Sequence, residues 1–129
     1  MRKVHSPEEI NAAFAEAFNS GNIDDLVALY EPNAVLIPKP GEVAEGVAAI
    51  RTALEELLTL KGQMQSKNQY ALVHDDIALL RAKVHLVGND PDGNPIEINN
   101  HTAEVVRRQP DGSWLYIVDH PYGADPVVM

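Results

Sequence analysis

The stretch EVVRRQPDGSWLYIVDHP, residues 104–121, is two apolar runs joined by a turn, and its register decides the fold. A two-residue Asp-Gly hairpin would seat Pro110 beside the turn, where the ladder needs an N–H that proline lacks. A type I turn with Pro110 first and Gly112 left-handed avoids this and closes Gln109 against Ser113. Counting outward places Val106 opposite Tyr116, Glu104 opposite Val118 and Thr102 opposite His120. A second copy of the motif, DPDGN at 90–94, places Leu86 opposite Ile98, Val84 opposite Asn100, Ala82 opposite Thr102 and Leu80 opposite Glu104.

Faces follow from register, because successive strand residues point to opposite sides. Ala78, Leu80, Ala82, Val84 and Leu86 are apolar and alternate with Arg81, Lys83 and His85, so the even face looks toward the core. Carried across the sheet, that face holds Ile98, Asn100, Thr102, Glu104 and Val106. An acid at its centre is unusual. The last strand contributes Trp114, Tyr116, Val118 and His120 to the interior if its pairing is regular. A single β-bulge after QPDGS reverses the final residues, turning Asp119 in and His120 out. Residues alone leave the two open. The opposite face, with Ala103, Val105, Leu115 and Ile117, is apolar too, which predicts a homodimer through the outer sheet face.

Upstream of Gln63 the period is helical. In SPEEINAAFAEAFNSG, Ser6 and Glu9 have the spacing of a capping box and Pro7 suits the first helical position. Ile10, Ala13, Phe14, Ala17 and Phe18 form one apolar stripe, and Gly21 ends it. Asn22 caps a shorter helix read through Leu26, Leu29 and Tyr30 to a stop at Pro32. AVLI, 34–37, reads as a short buried strand, and a third helix is predicted from about Val47 to Leu60. Strands are expected at 67–74, 78–88, 96–108 and 114–120. Helices followed by consecutive antiparallel strands define an α+β domain with the helices gathered on one face of a sheet.

The 129 residues suit a single domain, 1–129, with 45% hydrophobic and 22% charged residues, the balance of a globular chain. The formal charge of −9 repels polyphosphate and anionic lipid, so neither nucleic acid nor a membrane is an expected partner. No apolar segment follows the basic start MRKVHSPEE, and a cytoplasmic location is the default expectation. With no cysteine, disulfides, thiolate metal sites and a cysteine nucleophile drop out together. The five histidines show no ligand spacing, so no metal and no other cofactor is expected. Each serine sits in a cap, a turn or a strand start, and no nucleophile elbow is present.

The blocks FNSGNIDDLVALYEPNAVLI, EGVAAIRTAL and EVVRRQPDGSWLYIVDHP, in that order, resemble the nuclear transport factor 2-like superfamily, and most of all its small SnoaL-like branch. The superfamily includes ketosteroid isomerases, scytalone dehydratase and SnoaL-type polyketide cyclases. The resemblance implies a cone-shaped, curved antiparallel sheet wrapped around N-terminal helices, a dimer, and a pocket at the open end of the cone. It implies no activity, because the fold hosts enzymes and binders alike. Matching the isomerase pattern puts Phe14 where those enzymes carry an oxyanion-binding tyrosine and Pro38 where they carry the general-base aspartate. Only their third group, a strand acid, has a counterpart, Glu104. Steroid isomerisation by that mechanism is therefore not expected.

Glu104 is the leading candidate for chemistry. Flanked by Leu80 and Val118 it loses hydration, which raises a carboxyl pKa and poises it for acid-base work. The bland alternative is a glutamate tied to core donors. Its partner is His120 in a regular strand, giving a proton-shuttling pair, or Asp119 in a bulged one, giving two carboxyls that share a proton. Phe14, Tyr30, Asn100, Thr102 and Tyr116 are candidate ligand-binding residues, the polar ones serving equally well to satisfy Glu104. Asn99 and His101 fall on the outer face. The expected ligand is a small hydrophobic molecule.

Overall fold

The computed structural model describes residues 3–126. A 3-10 turn, Pro7–Glu9, leads into α1, Ile10–Asn19. Pro7 takes the expected first position, but the capping box of Ser6 and Glu9 does not form. The Glu9 N–H bonds the Ser6 carbonyl at 3.1 Å, closing a tighter turn, and the Ser6 side chain makes no cap bond. Gly21 ends α1 with φ +67°, in the left-handed region where glycine has no steric penalty. The Asn22 side chain then accepts from the Asp25 N–H at 3.1 Å and caps α2, Ile23–Val27.

The short helix stops before Pro32, not at it. Tyr116 N–H reaches the Leu29 carbonyl at 2.8 Å, so sheet pairing captures the chain here and Tyr30 opens strand β1, Tyr30–Leu36. Pro32 lies inside β1, in the interval between Tyr30 and Val35 where the register against the neighbouring strand shifts. An irregular stretch of this kind tolerates a residue without an N–H. A two-residue strand β2, Ala44–Glu45, and the helix α3, Val47–Leu58, follow.

The remaining strands are β3 (Gln63–His74), β4 (Ile77–Asn89), β5 (Pro95–His101), β6 (Ala103–Arg108) and β7 (Trp114–His120). The expected strand 96–108 is thus two strands interrupted at Thr102. The Thr102 N–H still bonds the Ala82 carbonyl at 2.8 Å, which keeps β5 and β6 in one register along β4. The sheet runs β2-β1-β7-β6-β4-β3, with β5 also beside β4. Among the described residues only β1 and β7 pair in parallel.

Both Pro-Asp-Gly turns form as read. Gln109 N–H bonds the Ser113 carbonyl at 2.7 Å with Gly112 at φ +86°, and Asp90 N–H bonds Asn94 at 2.9 Å with Gly93 at φ +84°. Val106 pairs with Tyr116, Leu86 with Ile98, Val84 with Asn100 and Leu80 with Glu104. Past Val106 the last hairpin departs from a regular ladder. A bulge leaves Ile117 unpaired, so Val105 pairs with Val118, Glu104 with Asp119 and Ala103 with His120. Val118 and His120, inward in the regular register, therefore belong to the outer face.

The helices cover the concave face of this curved sheet. Ile10, Leu26, Ile50, Leu54, Leu80 and Val106 are fully buried there, each contributing roughly 1.5–3 kcal/mol of transfer free energy. On the convex face Leu72, Leu79, Val105 and Val118 pair in sequence across four strands, forming one apolar row. Leu72 is 59% exposed and Leu79 41%. No described helix is long and apolar enough to cross a membrane.

Candidate functional site

Between the concave face and the helices lies a cavity of about 410 Å³. Its walls are mainly aliphatic, with Leu54 and Leu57 from α3, Met64 from β3, Val84 and Leu86 from β4 and Ile98 from β5. Pro121 and Tyr122 also line it, as do Pro38, Lys39 and Glu42 after β1. Five of its polar groups, Asn11, Thr102, Glu104, Tyr116 and Asp119, converge through hydrogen bonds and strand pairing, while Glu56, Thr59, Ser66 and Asn100 also line it.

Glu104 is 3% exposed and Asp119 5%, and they are direct cross-strand partners. The bulge brings this about, since without it Val118 would face Glu104. Glu104 Oε1 accepts two hydrogen bonds, from Thr102 Oγ1 at 2.8 Å and from Asn11 Nδ2 at 3.1 Å. Its Oε2 has no hydrogen-bond donor among the described residues. Asp119 Oδ2 accepts from the Tyr30 hydroxyl at 2.5 Å.

Burial pushes the Glu104 carboxyl up to about 8, and the charge of Asp119 adds to this, against the pull of the Thr102 and Asn11 donors. Burial also raises Asp119, to about 6, opposed by the Tyr30 hydrogen bond. The two carboxyls titrate as a coupled pair, and near neutral pH the pair holds one proton between them. The Tyr30 and Tyr116 hydroxyls, both buried and near these acids, are held well above the usual phenol range. Two carboxyls that share a proton thus stand side by side in a mainly apolar cavity.

The expected site residues sort as follows. Phe14, Asn100, Thr102, Glu104, Tyr116 and Asp119 all line the cavity. Phe14 meets the Tyr116 ring edge-on at 6.3 Å. His120 does not join them, because the bulge turns it toward the outer face; its ring meets that of Tyr122 edge-on at 4.6 Å. Tyr30 is not a wall residue either; it is buried behind Asp119 and orients that carboxylate. With its amide donating, Asn100 reaches Asp125 Oδ2 at 3.0 Å, while Asp125 Oδ1 accepts the His101 N–H at 2.5 Å. These bonds tie the segment after β7 to β5.

Asn11 is the residue the sequence reading missed. Its Oδ1 accepts from Tyr116 at 2.6 Å and its Nδ2 donates to Glu104, making it the bridge between them. The signal was present, since Asn11 lies one residue from Ile10 and one turn from Phe14 and Ala15, beside the buried stripe of α1. A polar residue there needs a partner.

A model of the SnoaL-like domain family matches residues 11–117, a span that contains Asn11, Glu104 and Tyr116. No curated protein sequence matches the chain. Among solved structures, a protein from Xanthomonas campestris assigned to the calcium/calmodulin-dependent protein kinase II association domains is 26% identical, with a TM-score of 0.74 over 87% of this chain and 81% of its own. A ketosteroid isomerase-like protein from Erwinia carotovora atroseptica is 20% identical, with a TM-score of 0.76 over 87% and 88%. A protein of the nuclear transport factor 2-like family from Streptomyces avermitilis, assigned as a dehydratase, is 18% identical, with a TM-score of 0.72 over 86% and 89%. The last two share the fold. The chain belongs to the SnoaL-like domain family, built on the nuclear transport factor 2-like fold.

Proposed function

We propose that this chain binds a small, largely apolar molecule in the cavity and moves protons on it without a cofactor, by isomerisation, cyclisation or dehydration. The observation that carries the reading is the pairing of Glu104 with Asp119 in a cavity whose walls are mainly apolar. Ionised Asp119 takes a proton from the ligand, and protonated Glu104 hydrogen-bonds or protonates the oxygen on which charge develops. Such positioned acid-base groups contribute about 10²–10⁴ in rate. The volume of about 410 Å³ falls within the range of small-molecule sites. Phe14 and Pro38 line the same cavity, so the departure from the isomerase pattern lies at the site itself. That departure favours a second reading, a ligand carrier that binds without turnover.

The test is a thermal-shift panel of neutral cyclic ketones, alcohols and epoxides. Stabilising compounds are then followed by NMR in D2O for exchange of carbon-bound hydrogen. Acid-base chemistry predicts exchange that falls at least about 100-fold in Asp119→Asn. Binding with no exchange selects the carrier, and the absence of any stabilising compound sinks both readings.

The convex row Leu72, Leu79, Val105 and Val118 supports a homodimer through the outer sheet face. Light scattering at micromolar concentration is expected to give twice the 14.1 kDa chain mass, and Leu79→Lys to return it to one. A wild-type monomer rejects the dimer.

A further inference from the structure

We infer that Asn11 is the positioning residue that turns the acid proton of Glu104 toward the cavity. The inference rests on the reading of Glu104 as an acid, and the geometry around Oε1 carries it.

Four hydrogen bonds run in one direction. The Ala82 backbone N–H donates to Thr102 Oγ1 at 2.9 Å. That donor is fixed by the β4 backbone and cannot turn, so the Thr102 hydroxyl proton is free to point at Glu104 Oε1, 2.8 Å away. From the other side, the Tyr116 hydroxyl donates to Asn11 Oδ1 at 2.6 Å, which leaves Asn11 Nδ2 facing the same Oε1 at 3.1 Å. Oε1 therefore receives two protons from its surroundings and has no room for one of its own. When Glu104 is neutral its proton belongs on Oε2, the oxygen with no donor among the described residues, and Glu104 lines the cavity.

An amide has two orientations, and the other one gives a different site. With Asn11 reversed, Oδ1 would face Oε1 and accept a proton from it, and Nδ2 would donate to the Tyr116 oxygen. The acid proton would then be spent inside the protein, and the cavity would meet a bare carbonyl oxygen in place of a donor. The reversal would leave the Tyr116 hydroxyl proton without its acceptor, and would set Oδ1 against the carboxylate Oε1 whenever Glu104 is ionised. Tyr116 is thus both part of the wall and the group that holds Asn11 in the productive sense.

The experiment needs no ligand. The carboxyl of Glu104 is followed by carbon-13 NMR against pH and by the infrared C=O stretch of its protonated form, with Glu104→Gln identifying both signals. Asn11→Leu removes one of two donors to Oε1. The C=O stretch is expected to move to higher frequency and the titration midpoint to rise by about one pH unit, the loss of one hydrogen bond to a charged group. Tyr116→Phe keeps Asn11 but removes its lock, and is expected to shift both in the same direction by less. It also serves if Asn11→Leu fails to fold. A folded Asn11→Leu, or in its place Tyr116→Phe, with the wild-type stretch and midpoint overturns the positioning role. A wild-type midpoint in the ordinary carboxylate range instead overturns the acid reading of Glu104, so the two failures are distinct.

Discussion

Replacing Glu104 by glutamine is expected to stabilise the protein at alkaline pH. A carboxyl whose folded pKa lies above its unfolded one binds its proton more tightly in the native state. Stability is then full below the unfolded pKa and declines as pH rises toward the folded one. For Glu104 the window runs from 4.5 to about 8. At 1.36 kcal/mol per unit, the cost accumulated by pH 8 is about 4 kcal/mol. That figure is a ceiling, because water entering the cavity beside an ionised Glu104 relieves part of it. Glutamine has the same shape, can accept from Thr102 and Asn11 through its oxygen, and places an uncharged donor where the acid carries its proton. The variant should therefore match wild type near pH 5 and exceed it at pH 8. Urea unfolding at pH 5, 6.5 and 8, at one protein concentration because self-association would contribute, measures the difference. Curves that stay parallel across this range, within about 0.5 kcal/mol, refute the claim that Glu104 is buried and protonated, that value being the ordinary scatter of a surface substitution.

Three further outcomes test the same geometry. Asp119→Asn removes the negative charge facing Glu104, and the Glu104 midpoint in carbon-13 NMR should fall from about 8 toward the ordinary carboxylate value; an unchanged midpoint would mean the two carboxyls are not neighbours. Tyr30→Phe takes away the donor to Asp119, so the Asp119 midpoint should rise above about 6. The variant should also lose roughly 1.5–3 kcal/mol at pH 8, where the carboxylate is ionised, and less at pH 5. Gly88→Ala would set a Cβ 2.8 Å from the Leu60 carbonyl oxygen, a backbone atom that cannot swing aside. A loss of about 1–3 kcal/mol in urea unfolding is expected, and a neutral result would place the turn after α3 farther from β4.

Much of the architecture was legible because it rests on local chemistry. The Pro-Asp-Gly turns dictate their own closure, and with it the pairs Leu86–Ile98, Leu80–Glu104 and Val106–Tyr116. Strict alternation on β4 shows which face meets the helices, and Glu104 stands out as the acid on that face. The capping box failed for a local reason as well, a 3-10 closure competing for the same residues. Pro32 misled because a stop signal for a helix is also tolerated at an irregular strand position.

The choice between Asp119 and His120 is of another kind. Both are polar, both precede Pro121, and no turn residue near them encodes a bulge. Regular pairing would have brought His120 inward and left Asp119 outside. The sheet's curvature absorbs one extra residue at Ile117, and with it the partner of Glu104 changes from a valine to an acid. Asn11 and Tyr116 lie 105 positions apart, so their meeting at Glu104 is visible only once α1 crosses the concave face. The sequence by itself determined the turns, most of the strands, the core face and the buried acid. Only the tertiary structure decided what that acid faces, because a bulge and a helix crossing are settled by packing over the whole sheet.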